Sequence, residues 1–406
     1  MRIINNNIVV FCLTLSVTCQ LHAQWVKTSG PYDGYVSEFI LCQTKLFAGT
    51  GSGVFLTTNQ GNNWDTVNNG LTNVFINAFA VKGTNLFTGT SGGGVYLSTD
   101  YGGNWSGINA GLTNKFVNCL ALVDSNILAG TFDGLFISTN NGAIWTPVTN
   151  GLNNTFIYAL EVKGTNIFAG TSGGGVYLSA DNGANWNSVS NGLNGARIYL
   201  LKMVESTLFA GSFYDGLFRS TDDGANWTAV NTGLTSLNVN ALVASGNNLF
   251  AGTYYGGIFQ STNNGTSWNP VNDGLGNKNI YALSLDDLNL YAGTDSTGVW
   301  RRPLSDLIMS AQSLFLGSPV SYVLEQNHPN PFNPSTTIRY TLPIETKVTI
   351  TIYNLLGQEI RRLVDDTEQA GYRSAIWSAD NMPSGIYFYR MRAGNFVETK
   401  KFLLLR

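Results

Sequence analysis

Aromatic and acidic side chains occupy several Gly-rich turns of this 406-residue chain, and they are the residues best suited to binding chemistry. A flat ring stacks on the C–H face of a sugar, and a carboxylate or amide beside it takes the hydroxyls. The same residue types also pack and form turns without any ligand. The candidate binding residues are Phe132, Asp133, Tyr214, Asp215, Tyr254, Tyr255 and Asp295.

Residues that support catalysis are sparse in the same part of the chain. Residues 24–303 contain no histidine, because His22 and His328 lie outside them, and this excludes histidine-based acid–base or metal chemistry there. Cys42 and Cys119 are the cysteines that follow residue 23, too few for a disulfide scaffold, and we expect two buried free thiols. We expect no catalytic residue, no metal and no cofactor.

A repeat of about 41 residues dominates the chain. Six boxes of the form Ser/Thr-x-Asp/Asn-x-Gly-x-x-Trp each end in a tryptophan, with spacings of 41, 40, 41, 41 and 41 residues. Before each box come an Ala-Gly-Thr-like segment, a Gly-rich turn and a second apolar segment, which predict two short strands. The box residues are Asn59, Trp64, Asp100, Trp105, Asn140, Trp145, Asp181, Trp186, Asp222, Trp227, Asn263 and Trp268.

Four strands in each repeat predict a blade of a β-propeller. The strands of one repeat are placed at Asn77 to Val81, at Leu86 to Thr90, at Val95 to Ser98 and from Trp105 onward. The Ala-Gly-Thr-like segment occurs seven times, which predicts seven blades. The last repeat lacks a box, whereas Trp25-Val26 has the phase of a fourth strand without a repeat of its own. We expect this N-terminal segment to complete the last blade and close the ring.

The boxes resemble the Asp-box repeats of sialidases and of photosystem II assembly factor-like propellers, from Gln24 to about Pro303. In this motif the Ser and Asp side chains bond to the turn backbone, the Gly takes a positive φ, and the Trp packs between blades. Asn replaces Asp in three boxes, which suits a turn but not a catalytic acid or a metal ligand. The chain also lacks the Arg-Ile-Pro signature of sialidases, and its repeats predict seven blades rather than their six, so the resemblance implies a fold rather than that activity.

A glycoside hydrolase is the enzymatic alternative. The connections between blades and the turns between second and third strands share one face, here called the short-loop face, and the boxes lie on the other. Two carboxylates across the short-loop face would suffice for hydrolysis. Glu38 is the glutamate expected to reach the channel, while Glu161 and Glu205 are placed at turns on the box face. The near-constant repeat leaves no insertion to wall off an active site, so we expect no enzymatic activity.

A different set of motifs begins after Pro303. The blocks are Val323 to Thr336, Ile350 to Glu359, Ser384 to Tyr389 and Lys400 to Arg406. In order and separation they resemble the type A sorting domain of the type IX secretion system. The resemblance implies export through the outer membrane and contact with the secretion machinery through residues 320–406. The same residues predict a small Ig-like β-sandwich, and an ordinary accessory domain of that fold is the alternative.

The first 23 residues are typical of a secretory signal peptide, with Arg2 before an apolar run and Ala23 at the cleavage site. The predicted domains are the signal peptide at 1–23, the propeller at 24–304, a linker at 305–319 and the sorting domain at 320–406. A net charge of −3 without a basic stripe gives no footprint for nucleic acid. No later segment has the roughly 20 apolar residues of a membrane helix.

The sequence therefore predicts an all-β protein, a seven-bladed propeller followed by a small sandwich, that is secreted or displayed at the cell surface as a monomer. Its expected function is the non-catalytic binding of a glycan or a surface protein through the short-loop face. The alternatives are a glycoside hydrolase and a purely structural envelope component.

Overall fold

The computed structural model describes residues 24–31, 35–148, 150–152, 156–308, 321–327, 330–379 and 382–405. The predicted signal peptide lies outside the described residues, as do His328 and most of the predicted linker. The chain divides into two compact units, one ending at Pro303 and one beginning at Leu304. Residues 304–308 form a short helix at the start of the predicted linker.

Seven four-stranded antiparallel sheets build the first unit. Their first strands lie side by side in a closed ring, because each contacts the first strands of both neighbouring sheets. These innermost strands are β2 (Val36–Cys42), β6 (Ile76–Lys82), β10 (Val117–Val123), β14 (Ile157–Lys163), β18 (Ile198–Val204), β22 (Val239–Ser245) and β26 (Ile280–Leu285). The predicted all-β, seven-bladed propeller is confirmed.

The second and third strands of each blade continue the sheet outward by tight antiparallel pairing. The second strands are β3 (Lys45–Thr50), β7 (Asn85–Thr90), β11 (Asn126–Thr131), β15 (Asn166–Thr171), β19 (Thr207–Ser212), β23 (Asn248–Thr253) and β27 (Asn289–Thr294). The third strands are β4 (Gly53–Thr57), β8 (Gly94–Ser98), β12 (Gly134–Ser138), β16 (Val176–Ser179), β20 (Leu217–Ser220), β24 (Gly257–Ser261) and β28 (Val299–Pro303).

The outermost strands are only two or three residues long. They are β5 (Asp65–Thr66), β9 (Ser106–Gly107), β13 (Thr146–Val148), β17 (Asn187–Ser188), β21 (Thr228–Ala229), β25 (Asn269–Pro270) and, for the last blade, β1 (Val26–Lys27). Short outer strands present little free edge to other chains, which limits aggregation.

The N-terminal strand closes the ring, as predicted. β1 pairs with β28 in the sheet of the last blade. Trp25 occupies the position of a box tryptophan. Its backbone N–H donates to Asp273 O at 2.9 Å and its indole N–H to Val271 O at 2.6 Å. In the second blade, Trp105 makes the corresponding two hydrogen bonds through its backbone N–H and its indole N–H.

Apolar side chains between neighbouring blades form the core of the propeller. One cluster joins Phe87 and Val95 of the second blade to Val117, Phe136 and Trp145 of the third. The glycine of the Ala-Gly-Thr-like strand has a packing reason, because a Cβ at Gly89 would lie 2.5 Å from Val117 Cγ1. The recurring glycine therefore lets adjacent blades approach closely.

The box residues lie in tight turns between third and fourth strands. In the second blade Asp100 Oδ1 accepts hydrogen bonds from Ser98 Oγ and Asn104 N, both at 2.8 Å. The Asn104 amide and backbone N–H, with Ser98, lower the pKa of Asp100 to about 2. The same contacts recur around Asn59, Asn140, Asp181, Asp222 and Asn263. The tryptophans Trp105, Trp145, Trp186, Trp227 and Trp268 are buried, and Trp64 is half-buried.

Two sheets with a common apolar core form the second unit. One sheet has the order β29 (Val323–Leu324), β30 (Ser335–Leu342), β33 (Gly371–Ser378). The other has the order β32 (Glu359–Glu368), β31 (Thr346–Tyr353), β34 (Gly385–Ala393), β35 (Phe396–Leu404). In this core the rings of Trp377 and Phe402 contact each other edge to face, with 5.1 Å between their centroids. The predicted sandwich is confirmed.

Candidate functional site

One backbone hydrogen bond recurs in all seven blades on the short-loop face. The residue before each first strand accepts, through its carbonyl, the N–H of the first turn residue after the second strand. The donor–acceptor pairs are Gly51–Tyr35, Ser91–Phe75, Phe132–Phe116, Ser172–Phe156, Phe213–Arg197, Tyr254–Asn238 and Asp295–Asn279, at 2.9 to 3.4 Å. The backbone of this face is therefore the same in all seven blades. In each blade the hydrogen bond brings the side chains of the donor and acceptor residues next to each other.

Polar side chains two residues earlier hold several of these positions. Asn73 Oδ1 accepts the N–H of Phe75 at 3.0 Å, and Asn114 Oδ1 accepts that of Phe116 at 2.9 Å. Such Asx turns fix the backbone before the strand begins. The rim side chains are thus presented by ordered turns, although Phe75 and Phe116 are about half exposed.

The side chains on this symmetric frame differ from blade to blade. The residues before the first strands are Tyr35, Phe75, Phe116, Phe156, Arg197, Asn238 and Asn279. Since all seven blades have the same backbone bond here, blade architecture does not require this variation. By contrast, the six boxes keep their tryptophan and glycine in every blade that has one.

An arc of seven aromatic rings crosses blades three to five. Phe132 stacks on Phe116 at 5.7 Å and meets Phe156 and Tyr158 at 6.0 and 6.1 Å. Tyr158 stacks on Tyr199 at 4.2 Å. The arc continues through Phe213 to Tyr214, with centroid distances of 5.3 and 4.4 Å. We call Phe116, Phe132, Phe156, Tyr158, Tyr199, Phe213 and Tyr214 the aromatic arc. Tyr214, at its end, is 69% exposed.

A separate group of four tyrosines lies where blades six, seven and one meet. Tyr254 contacts Tyr255 at 4.1 Å and Tyr281 at 5.7 Å, and Tyr281 contacts Tyr35 at 5.5 Å. We call these residues the tyrosine cluster. Burial raises the pKa of Tyr281, whereas the hydrogen bond with Tyr254 is the main cause that raises the pKa of Tyr255. Tyr255 is 72% exposed, with a positive φ of 70°.

The three candidate aspartates differ in their surroundings. Asp133 and Asp215 stand in the turns, where their backbone N–H groups donate to Thr131 Oγ1 and Ser212 Oγ. Asp295 accepts the amide of Asn279 at 3.0 Å. Ser296 and Asn279 are the main causes that lower the pKa of Asp295. Asp295 is therefore an ionised hydrogen-bond acceptor beside the tyrosine cluster.

The seven candidate residues thus fall into two groups. Phe132, Asp133, Tyr214 and Asp215 belong to the region of the aromatic arc, and Tyr254, Tyr255 and Asp295 to that of the tyrosine cluster. Sequence reasoning missed Tyr158, Tyr281, Phe213 and Tyr35. The first two occupy the second position of a first strand, a position held by Asn77 and Asn118 in other blades, and that difference between repeats is the signal that marks them.

Two glutamates belong to the innermost strands. Glu38 Oε2 accepts the N–H of Phe79 at 2.6 Å, and Glu161 Oε1 accepts that of Met203 at 2.9 Å. The placement of Glu161 at a turn is wrong, because it lies inside β14 and bridges to the next blade. Glu205 does lie in the turn after β18, as predicted. Burial raises the pKa of both bridging glutamates, that of Glu38 to about 8.

The two cysteines are free, as predicted, and lie in β2 and β10. Cys42 is buried, but Cys119 is partly exposed rather than fully buried. Within the described residues, no group of three or more His, Cys, Asp or Glu side chains is arranged to hold a metal ion.

The second unit matches a known protein family. The model of the secretion system C-terminal sorting domain matches residues 327–405. The C-terminal unit is a type IX secretion sorting domain. This domain directs export to the cell surface or the extracellular space, as predicted. In the part of the chain that the structure describes, no helix is long and apolar enough to cross a membrane.

Solved propellers resemble the fold at low sequence identity. The extracellular domain of a putative hybrid two-component system from B. thetaiotaomicron is 17% identical, with a TM-score of 0.58. The match covers 79% of this chain and 46% of that one, so this chain spans less than half of that relative. No curated protein sequence matches this chain.

Two further structures have the same architecture. YCF48 bound to D1 peptide is 14% identical, with a TM-score of 0.57, covering 70% of this chain and 96% of that one. The GH74 xyloglucanase from Xanthomonas campestris is 16% identical, with a TM-score of 0.55, covering 79% and 59%. At these identities the likeness concerns the fold alone. The resemblance of the boxes to sialidase repeats stays a prediction.

Proposed function

We propose that this exported chain is a non-catalytic binding protein, and that its propeller binds a glycan on the short-loop face. The observation that carries the proposal is the loss of sevenfold symmetry in the side chains of that face. The backbone frame is the same in all blades, but aromatic rings gather on one side and tyrosines with amides on another. Binding of a ligand that itself lacks sevenfold symmetry would account for this difference between the side chains of the blades.

The chemistry of the tyrosine cluster suits a sugar. Exposed Tyr255 offers a ring face for C–H groups and a hydroxyl at its tip. Asn277 and Asn279 bring amides to the same region, where both contact Asp295.

The carboxylates of the propeller support binding rather than turnover. A retaining or inverting hydrolase needs one protonated and one ionised carboxyl flanking the scissile bond. Asp295 has a lowered pKa, which is unsuited to a general acid. Glu38 has a raised pKa, but its carboxylate is engaged with the backbone of the next blade. Asp133 and Asp215 stand in turns close to their own strand ends.

A protein ligand is the second candidate, and the aromatic arc favours it. Four of its seven rings are phenylalanines without a hydroxyl, and several rings cover one another's faces. Edges of packed rings suit the aliphatic or aromatic side chains of a partner better than the face of a pyranose.

Glycan binding without cleavage is the expected result for the purified mature chain. An array of neutral and charged glycans identifies the ligand, and the bound glycans are then examined for shorter products. Tyr254→Ala/Tyr255→Ala should weaken binding by about tenfold or more, since it removes the exposed rings of the cluster.

Tyr101→Asn is the matched control. Tyr101 lies in a box turn on the other face, and Asn141 and Asn182 occupy the same turn position in other blades, with the same positive φ. This variant should bind as the parent does. Cleavage that disappears in the triple Asp133→Asn/Asp215→Asn/Asp295→Asn variant would establish a hydrolase instead. If the chain binds none of the glycans on the array, the glycan proposal is contradicted and a protein ligand is the candidate that remains.

A further inference from the structure

A turn in the sorting domain is unusually well ordered by one side chain. Asn354, between β31 and β32, accepts through Oδ1 the N–H groups of Leu356 and Gln358, both at 3.0 Å. Its own amide donates to Gln358 Oε1 at 2.8 Å. Gly357 takes a φ of 75° and donates its N–H to Asn354 O. These bonds fix the turn in one conformation.

The ordered turn displays two leucines to solvent. Leu355 is 66% exposed and Leu356 is 82% exposed, the largest exposed fraction among the large apolar residues of the described chain. Open space surrounds the tip, because a Cβ added at Gly357 would meet no atom within 4 Å. The Asn and Gly account for the turn, so its conformation does not require leucine at either position.

Adjacent exposed leucines on a preorganised turn suit a contact with another protein. Burying an apolar side chain is favourable, and a turn that is already ordered loses little conformational entropy on binding. The neighbouring strand β32 is charged, and Arg362 forms ion pairs with Glu359 and Asp365. An apolar tip beside charged residues resembles the core and rim of a specific interface.

We propose that Leu355 and Leu356 are the residues through which the type IX secretion machinery recognises this sorting domain. The partner is an apolar pocket on a protein of that machinery. The turn lies inside residues 327–405, the part that matches the sorting-domain family, whose role requires recognition by the export apparatus. The inference concerns export and does not depend on what the propeller binds.

Export of the full chain in a bacterium with a type IX secretion system tests the proposal. The variant Leu355→Ser/Leu356→Ser should lower the exported fraction by about tenfold or more, because two buried apolar contacts are lost. The retained chain should accumulate in the periplasm. Immunoblots of medium, cell surface and periplasm measure the distribution, and melting of the purified variant shows whether the sorting domain is folded.

Ile376→Thr is the matched control, because Ile376 is 70% exposed on strand β33 of the same domain. It should be exported as the parent is. Asn354→Ala keeps both leucines but loosens the turn, and an intermediate loss of export is expected. Normal export of a folded Leu355→Ser/Leu356→Ser variant would overturn the proposal. So would an equal defect in Ile376→Thr, or a wild-type dimer that this variant makes monomeric while export is unchanged.

Discussion

Glu38 shows how one side chain in the ring of innermost strands departs from the repeat. The other blades have Ala78, Cys119, Ala159, Leu200, Ala241 and Ala282 at its position. Its carboxyl group accepts the N–H of Phe79 in the next blade, while burial favours the protonated form. Lys202 is the cation that partly opposes this effect of burial on the pKa. Glu38 therefore links two blades, and its contribution to the free energy of unfolding depends on pH.

The variant Glu38→Gln should make the propeller less sensitive to pH. The folded pKa of Glu38, about 8, exceeds its ordinary value of 4.5, so the carboxyl group contributes stability below pH 4.5 that is lost progressively as the pH rises to 8. Glutamine keeps an acceptor for Phe79 N but does not titrate. The melting temperature of the variant relative to the parent should therefore increase between pH 4.5 and 8 and stay constant above.

Glu205→Gln is the control for the titration, because Gln43 already occupies the equivalent turn in the first blade, with a similar positive φ. Thermal melts at five pH values between 4 and 9 make the comparison. A constant difference between parent and Glu38→Gln across this range would contradict the raised pKa.

The blade is the element that gives the propeller its stability, and the last blade is built from both ends of the unit. β26, β27 and β28 come from the end of the repeat region, and β1 comes from the start of the described chain. This arrangement makes the ring a single closed structure, since opening it requires removing β1 from β28. A substitution that weakens the pairing of β1 with β28 should therefore weaken the contact between the first and last blades.

Trp25→Ala should destabilise the propeller by about 3 to 5 kcal/mol, the usual cost of truncating a buried tryptophan. Trp25 is 3% exposed, and its indole N–H is bonded to Val271 O. Val26→Ala is the matched control, because Val26 follows Trp25 directly, lies in β1 and is 55% exposed. Urea unfolding measures both changes. Equal effects of the two substitutions would show that Trp25 does not close the ring.

Sequence reasoning succeeded where a local signal repeats and failed where residues from different blades meet. The tryptophan spacing and the Ala-Gly-Thr-like segment recur in each blade and were enough to predict the number of blades and the closing strand. The stack of Tyr158 on Tyr199 joins strands that lie 41 positions apart, and it depends on the shift of pairing register after the first residue of each inner strand. No pattern within a single repeat of the sequence predicts that shift in pairing register.

The whole chain combines two compact units with separate tasks. The sandwich has its own core, which includes Trp377, Tyr389 and Phe402. The clusters of the propeller each join neighbouring blades. A unit with its own core is able to fold alone. The propeller would therefore keep its short-loop face without the sorting domain, while export depends on the residues that match the sorting-domain family.

A chain that ends after Pro303 should keep its fold but lose export. The melting temperature of the propeller is expected to fall by only a few degrees. The described clusters around Phe87 and Tyr291 keep all their members, although the truncation removes the buried Leu304 and Leu307. The truncated chain should stay in the periplasm, as immunoblots of medium and cell fractions would show. Residues 304–406 fused to an unrelated periplasmic protein provide the reciprocal test, since the fusion should reach the cell surface or the medium. An unfolded propeller would mean that the second unit supports the first, and export of the truncated chain would mean that a signal outside residues 304–406 suffices.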